Sequence, residues 1–526
     1  MKGKNAMKLT RILSLAIVFT MILSMLIACG DKKDPVDGTT TPEGTTAEVT
    51  NPAGEVNTLF DTDAFIEKYE GEDVNILCWD SEHREFEVLK TELSGSDPLL
   101  EGIYARNVHV SETLGVNLIF NEQDDDTNKA ASMLQYVEMQ ADGGTPIDVI
   151  ALYSRTAGLL SQKGHLLPVN YYSDYINLDN SWYPDALVEE TNIRGNTYYV
   201  SGDISTNLLY LTYGFVFNKD VLEANPGIGI TPADLYKLVE EQKWTLEEMY
   251  KLVGNYWVDY DENGVKSLND SFGLRSYNFH LDAFYVGSGM KYVVVDNATT
   301  DPTKLIQIAG DYTSQKAIDL ADELGELMSS NYAYNDENAP KTFANTNRDL
   351  AFVSRVRDIQ KIHDSENNDM SYGVLPIPKY DIAQEDYKCV AGNPLTLWGI
   401  SADSVDHDRE VMAAAVIEIS GYFAQTDTTE AIFETLFKGR YSEHPEDAES
   451  FDIIRRTTSF DIGRIFTKVL STNMAIADQW SSAAAKAQKW ATKCVGLKRM
   501  YDAGALTASK DFWNLADTLK PTAPKN

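Results

Sequence analysis

Acidic and amide side chains alternate in the stretch DYDENGVKSLND at residues 259–270. Calcium prefers hard oxygen ligands, and a glycine after the third ligand, here Gly264, permits the sharp turn of a calcium-binding loop. The spacing therefore predicts a structural calcium site with these protein ligands: Asp259, Asp261, Asn263, Val265 through its carbonyl, and Asp270. Asp270 stands where the calcium-loop pattern has Glu, which shortens the last ligand. A solvated turn without metal explains the same residues.

Motifs of nucleophilic, zinc-dependent or phosphate chemistry do not occur in this sequence. It has no Gly-x-Ser-x-Gly, no His-Glu-x-x-His and no P-loop pattern. With 80 acidic residues in the chain, carboxylate pairs at hydrolase spacing arise by chance and carry little weight. We therefore expect a protein that is not an enzyme and requires no cofactor, and a secreted glycoside hydrolase is the catalytic alternative.

The composition is that of a large acidic globular protein. The chain has 526 residues, of which 43% are hydrophobic, and its formal net charge is −35. Nucleic acid and anionic membrane surfaces would repel such a protein, so neither is expected as a direct partner. The length is sufficient for two or three domains.

Four cysteines are too few for a disulfide framework in a chain of this size, and none forms a C-x-x-C pair. Cys78, Cys389 and Cys494 are therefore interpreted as small buried hydrophobic residues. Cys29 differs from them because it directly follows an apolar run.

Residues 1–28 have the layout of a secretory signal peptide, in which basic residues precede an apolar segment at 12–28. The stretch Leu26-Ile27-Ala28-Cys29 resembles the lipobox of bacterial lipoproteins, which are cut before the cysteine and lipidated on its thiol. The resemblance implies a lipid anchor, such as palmitate, on Cys29 at the extracellular face of the cell membrane. An uncleaved anchor helix is the alternative. Residues 29–57 are rich in Thr, Pro, Gly and Glu, and this composition predicts a flexible tether.

The pattern changes to alternating strands and helices from residue 73 onwards. DVNILCW at 73–79 is apolar on both faces, as a buried parallel strand should be. The segments that follow in the first part of the body predict a right-handed α/β unit: helices near 98–114 and 127–141, and strands at 115–120 and 146–153. Later predicted elements are a strand at 212–218 and helices at 313–328 and 408–424.

Several stretches resemble, in the same order, the extracellular solute-binding lipoproteins of ABC importers, the group that includes maltodextrin-binding proteins. They are PIDVIALYSRTAGLLSQKGHLLPV, GNTYYVSGDIS, GFVFNKDVLE, KWTLEEMYKL and YGVLPIPK. The sequences KGRYSEHPEDAESFDII and FDIG resemble a clostridial-type branch of that group, which implies a Gram-positive source. The resemblance covers most of residues 73–500 and rests on the co-linear order of these stretches behind a lipobox.

The resemblance implies an α/β fold with two lobes, a hinge and a ligand cleft between the lobes. The first lobe is expected at about 58–210 plus about 390–435, and the second at about 211–389 plus part of 436–526. It further implies that a carbohydrate, expected to be an oligosaccharide, closes the lobes and that the closed monomer docks on an ABC permease. A peptide or another solute is the alternative ligand for the same fold.

Sugar recognition combines aromatic rings that stack on pyranose faces with planar polar groups that bind hydroxyls. In open α/β sheets such groups lie just beyond the carboxyl ends of the strands. The resemblance and these positions together predict the following site residues: Trp79, Asp80, Tyr153, Ser154, Arg155, Asp203, Asn207, Tyr213, His280, Asp282, Tyr285, Arg355, Asn393 and Trp398. Arg355 stands where the family often has an aromatic residue. Each aromatic residue is alternatively a core residue, and His280 alternatively a structural histidine.

Overall fold

A computed structural model describes residues 58–80, 98–366, 369–407 and 409–518. All of them belong to one compact unit that begins at Thr58. The predicted signal peptide, the lipidation site at Cys29 and the tether lie outside the described residues. Within the described ranges, every helix is too short or too polar to cross a membrane.

The elements are numbered in chain order, beginning with the strands. They are β1 (Asp73–Asp80), β2 (Asn117–Asp124), β3 (Val149–Tyr153), β4 (Leu166–Leu167), β5 (Tyr213–Asn218), β6 (Trp257–Val258), β7 (Ser271–Phe272), β8 (Leu274–Ser276), β9 (Val293–Val295), β10 (Ile306–Ile308), β11 (Ala333–Asn335), β12 (Ala351–Arg355), β13 (Tyr372–Leu375), β14 (Cys389–Val390), β15 (Thr396–Ser401) and β16 (Thr458–Ser459).

The α-helices are α1 (Thr62–Tyr69), α2 (Pro98–Leu114), α3 (Ala130–Ala141), α4 (Ser154–Gln162), α5 (Asp185–Thr191), α6 (Thr206–Leu211), α7 (Lys219–Ala224), α8 (Pro232–Glu240), α9 (Leu246–Val253), α10 (Asp282–Gly287), α11 (Gln315–Ser329), α12 (Ala339–Thr346), α13 (Gln360–His363), α14 (Glu410–Ala424), α15 (Pro445–Arg456), α16 (Ile462–Ile465), α17 (Thr467–Leu470), α18 (Ile476–Ala485) and α19 (Trp490–Thr518). A π-helix, Gln425–Lys438, continues α14.

The first large sheet has the strand order β2-β1-β3-β15-β4. Strand β1 is parallel to both β2 and β3, whereas β15 runs antiparallel to β3 and β4. This arrangement confirms the α/β unit predicted at the start of the body. Its central strand β3 is buried at every position, which is why it reads as a continuous apolar run rather than an alternating one.

The second large sheet has the order β11-β8-β12-β5-β13. Strands β8, β11 and β12 are parallel, while β5 runs antiparallel to β12 and β13. Two sheets of this kind, each with helices packed around it, form the two lobes of the α/β fold that the sequence predicts.

Segments that join the two sheets lie side by side and form the hinge. Strand β14 leads from the second lobe into β15 of the first, and it pairs in parallel with β16. The main-chain N–H of Gly392 donates to the carbonyl of Leu211, which ends α6 just before β5 (2.9 Å). A Cβ atom at Gly392 would lie 2.7 Å from that same oxygen, so this close approach requires glycine.

The three cysteines of the body, Cys78, Cys389 and Cys494, are buried free thiols, which confirms their interpretation as small core residues. Burial raises the pKa of Cys389 to about 11, so its thiol stays protonated at neutral pH.

A buried carboxyl in α14 gives a pH-dependent contribution to stability. Glu418 accepts hydrogen bonds from Asn180 Nδ2 (2.7 Å) and Tyr183 OH (3.0 Å). Burial raises the pKa of Glu418 to about 7, although both donors oppose this rise. The folded state therefore binds this proton more tightly than the unfolded state, and its contribution to stability is lost as the pH rises from about 4.5 to about 7.

We expect Glu418→Gln to raise the melting temperature at pH 8 and to change it little at pH 5, because glutamine supplies the neutral form at every pH. Thermal unfolding at the two pH values measures this difference. Equal shifts at both values would show that the carboxyl does not titrate in this range.

Candidate ligand site between the two lobes

The carboxyl ends of the central strands in both sheets point toward the boundary between the lobes. Arg155, directly after β3 in the first lobe, has its Nη2 atom 3.9 Å from Asp478 Oδ1 in α18. Arg355, the last residue of β12 in the second lobe, pairs in register with Tyr213 at the start of β5. Polar groups from both sheets therefore meet at this boundary, as the rule for open α/β sheets predicts.

Five charged residues form the centre of this site, and we call them the interlobe cluster: Arg155, Asp282, Arg355, Arg464 and Asp478. Arg464 Nε lies 3.1 Å from Asp282 Oδ2. Burial raises the pKa of Asp282, while the charge of Arg464 opposes that rise. Burial likewise raises the pKa of Asp478, and the charge of Arg155 opposes that rise. The cluster is thus a desolvated set of charges shared by both lobes.

Several other predicted residues lie around the interlobe cluster. Ser154 Oγ donates to the carbonyl of Asn393 (2.7 Å). The rings of Tyr213 and His280 are in edge contact, with centroids 5.4 Å apart. Burial and the nearby charge of Arg355 lower the pKa of His280 to about 4, so the imidazole is neutral at physiological pH. The hydroxyl of Tyr153 is 3.0 Å from Thr127 Oγ1.

Three of the predicted aromatic residues are enclosed by protein. Trp79 and Trp398 are each only 1% exposed, and Trp79 Nε1 donates to Thr396 Oγ1 (2.9 Å). Tyr285 is fully buried and stacks on Tyr292, with ring centroids 4.2 Å apart. In this structure the three rings are therefore enclosed by protein, and a role in stacking on a sugar stays a prediction.

Three further predicted residues, Asp203, Asn207 and Asp80, lie in surroundings that differ from those of the interlobe cluster. Both carboxylate oxygens of Asp203 accept from Arg455 Nη2, at 3.0 and 3.1 Å. Asn207 is buried, and its amide donates to Thr396 Oγ1 (3.4 Å). Asp80 is exposed at the end of β1. Asp203 and Asn207 thus support the hinge region through protein contacts.

Sequence reasoning missed two members of the interlobe cluster, Arg464 and Asp478. Arg464 lies in the short helix α16, is 5% exposed and donates through Nη1 to the hinge carbonyl of Ala391. The available signal was the pair of charged residues, Asp461 and Arg464, among the apolar residues of 460–466. Asp478, in the first turn of α18, has no local pattern that marks it.

The space at the interlobe cluster is small. A cavity of about 10 Å³ touches Ser154, Asn393 and Arg464, which is room for about one water molecule. In this structure the cavity is too small for a saccharide.

A larger cavity of about 720 Å³ is lined by Val356, Asp203 and Arg455. Val356 begins the 3₁₀ turn that follows Arg355, the last residue of β12. Asp203 and Arg455 in the lining of this larger cavity already pair with one another.

The predicted calcium loop brings its acidic side chains together. Carboxylate oxygens of Asp259, Asp261 and Asp270 lie within 4.8 Å of one another, a spacing that one cation can bridge. Gly264 has a φ of 74°, the left-handed conformation that this turn needs. Its N–H donates to Asp259 Oδ2 (2.6 Å), and this bond lowers the pKa of Asp259. Asp270 accepts from Ser267 N (2.9 Å), which leaves it fewer free lone pairs for a metal.

Comparisons with known proteins support the fold. No family model and no curated protein matches the chain. A cyclo/maltodextrin-binding protein complexed with maltotetraose shares 14% identity, with a TM-score of 0.51 over 82% of this chain and 97% of that one. A cyclic α-maltosyl-1,6-maltose binding protein from Arthrobacter globiformis shares 13% identity, with a TM-score of 0.53 over 84% of this chain and 99% of that one. UgpB from Mycobacterium tuberculosis, in complex with glycerophosphocholine, shares 15% identity, with a TM-score of 0.50 over 82% of this chain and 98% of that one.

At these identities the likeness concerns the fold. The chain has the two-lobed α/β fold of solute-binding proteins, and the predicted fold class is confirmed.

Proposed function

We propose that this protein is the non-catalytic substrate-binding component of an ABC importer and that it delivers a carbohydrate, as an oligosaccharide, to the permease. The observation that carries this proposal is the interlobe cluster, where buried polar groups of both lobes converge beside a hinge. Two of the solved structures with this fold are of proteins named for binding maltodextrin-type saccharides. Closure of the lobes around the sugar would present the docking surface to the permease.

The proposal includes the finer expectations from the sequence. The protein acts as a monomer on the extracellular face of a Gram-positive cell membrane, held by a lipid on Cys29. The lobes comprise about 58–210 plus about 390–435, and about 211–389 plus part of 436–526. Tyr153, Arg155 and Arg355 are the residues we assign to ligand contact.

A different solute is the second candidate, because UgpB in the same fold is in complex with glycerophosphocholine. The experiment that separates the candidates is isothermal titration of the purified full-length chain against oligosaccharides, peptides and glycerophosphocholine, with chromatography of each mixture afterwards. Micromolar binding of one glycan class without cleavage supports the proposal. Cleaved glycan would identify a hydrolase, and binding of peptide or glycerophosphocholine alone would replace the carbohydrate.

We also propose that the loop at 259–270 binds a structural calcium ion. Because the three carboxylates repel one another when no cation is present, we expect calcium to raise the melting temperature of the protein by a few degrees and magnesium to raise it less. Asp261→Asn should abolish this shift, whereas Asp364→Asn, at an exposed aspartate elsewhere, should retain it. No shift with calcium, or an equal shift in Asp261→Asn, would favour the solvated turn.

A further inference from the structure

The interlobe cluster contains more positive than negative charge. The cations at this boundary are Arg155, Arg355, Arg464 and Lys468, and the two carboxylates of the cluster that face the arginines are Asp282 and Asp478. Asp126 also faces Lys468, but it lies 3.7 Å from Lys129 Nζ as well. Lys468 is half-buried, and burial together with the charge of Arg155 lowers its pKa. This local excess of cations is unexpected in a chain whose formal net charge is −35.

Other acids near the cluster are already engaged. Asp358, close to Arg355, pairs with Lys361 Nζ and accepts from Ser354 Oγ. Asp461, close to Arg464, accepts from the main-chain N–H of Tyr292 (2.6 Å) and of Gly463 (2.7 Å). These contacts leave little carboxylate charge to neutralise the arginines.

Buried donor atoms of the arginines lack acceptors in the described part of the chain. Arg155 Nε, Arg355 Nε and Arg464 Nη2 are all inaccessible to solvent and make no hydrogen bond. Arg155 and Arg464 are only 4% and 5% exposed, and the cavity beside Arg464 has room for about one water molecule, so bulk solvent does not reach these donors. An unpaired buried donor on a charged group costs a substantial amount of stability, and proteins keep such groups where a ligand completes them.

We infer that the solute carries a negatively charged group, namely that it is an acidic saccharide whose carboxylate or phosphate is bound by Arg155, Arg355 and Arg464. This inference rests on the proposed carbohydrate-binding function and specifies its ligand class. A planar guanidinium matches the two oxygens of a carboxylate or phosphate bidentately, which a sugar hydroxyl does not allow. Asp282 and Asp478 would then accept hydrogen bonds from neighbouring sugar hydroxyls.

The test compares acidic saccharides with neutral ones that differ only in the acid. The full-length protein is titrated with α-1,4-trigalacturonate and α-1,4-galactotriose, with a panel of further uronate oligosaccharides and their neutral counterparts, and with glucose 6-phosphate and glucose. For the saccharide pair that the protein recognises, we expect the acidic member to bind with at least 100-fold higher affinity than the neutral member. High salt should weaken that binding. The uronate and phosphate arms identify which acid is recognised.

Variants at Arg355 test whether the interlobe cluster is responsible for the preference for acidic saccharides. Arg355→Gln should weaken binding of the acidic saccharide at least tenfold, and Arg355→Lys, which keeps the charge, should weaken it less. Arg499→Gln, at an exposed position of α19, is the matched control and should bind as the wild type does. A circular dichroism spectrum and melting curve for each variant separate loss of binding from loss of folding.

Two other results would overturn the inference in distinguishable ways. Equal or tighter binding of neutral saccharides, with no effect of Arg355→Gln, would refute the anionic ligand and leave the proposed carbohydrate function intact. Binding of no saccharide in any arm, together with binding of a peptide or of glycerophosphocholine, would refute the carbohydrate function itself.

Discussion

Replacement of Arg275 by methionine should destabilise the protein by about 3–5 kcal/mol, the cost of breaking a buried ion pair by removing one partner. Arg275 in β8 is fully buried, and its Nε atom lies 2.6 Å from Asp349 Oδ2. Its Nη1 atom is 3.3 Å from Asp336 Oδ2, and Nη2 donates to the carbonyl of Asp270 (2.9 Å). Without the guanidinium, the carboxylate of Asp349 is left desolvated beside the core of the second lobe.

Urea unfolding followed by tryptophan fluorescence measures this loss. The neighbouring Arg348→Met is the control, because Arg348 is half-buried and packs on Tyr260, 4.3 Å from the ring centroid. It should cost less than about 1 kcal/mol. The double variant R275M/D349N should recover part of the stability, since residue 349 then carries no charge and its asparagine oxygen can still accept from Phe272 N. Asp336 loses its ion pair with Arg275 in both variants, so the recovery is incomplete. A loss below about 1 kcal/mol in R275M would show that water solvates Asp349 in the folded state.

Replacement of Arg155 by methionine should reduce affinity for the solute at least about 30-fold, because truncating a buried charge that binds a ligand costs about 2–5 kcal/mol. Stability should fall by less than about 1 kcal/mol. The reason is that the ion-pair partner of Arg155 among the described residues, Asp478, is 3.9 Å away and its side chain is 30% exposed, so water can take over its solvation.

The affinity is measured by titration with whichever saccharide of the panel binds the wild type most tightly. Arg499→Met, at an exposed position outside the cluster, should leave affinity unchanged. If Arg155→Met binds as well as the wild type, the ligand site lies away from the interlobe cluster, and the cavity beside Arg455 becomes the next candidate.

Local patterns in the sequence were sufficient for the elements of the fold. The apolar run before Tyr153 predicted β3, and the apolar stretch near 408–424 predicted the buried helix α14. Both predictions are confirmed because a segment that is buried on all sides consists almost entirely of apolar residues, and such a run is visible in the sequence. The end of β3 also pointed to Arg155, which stays a predicted ligand residue, since side chains beyond parallel strands gather at one edge of the sheet.

The roles of individual aromatic residues were decided by contacts between distant parts of the chain. Trp79 stands at the end of β1, where a ligand-facing ring was expected, yet Thr396 of β15 accepts its indole N–H. These two residues are 317 positions apart. No pattern around residue 79 contains that information, because the partner strand β15 follows in the chain only after all strands of the second large sheet.

What the sequence by itself determined about this protein is the α/β class, the alternating strands and helices at the start of the body and three later elements, since each depends on side chains close together in the chain. Only the tertiary structure decided which charges share the boundary between the lobes. Arg464 and Asp478 reach Asp282 and Arg155 from the far end of the chain. The packing of α16 and α18 near the hinge brings these charged residues together. Charge pairing acts through space, so it produces no periodic pattern in the sequence.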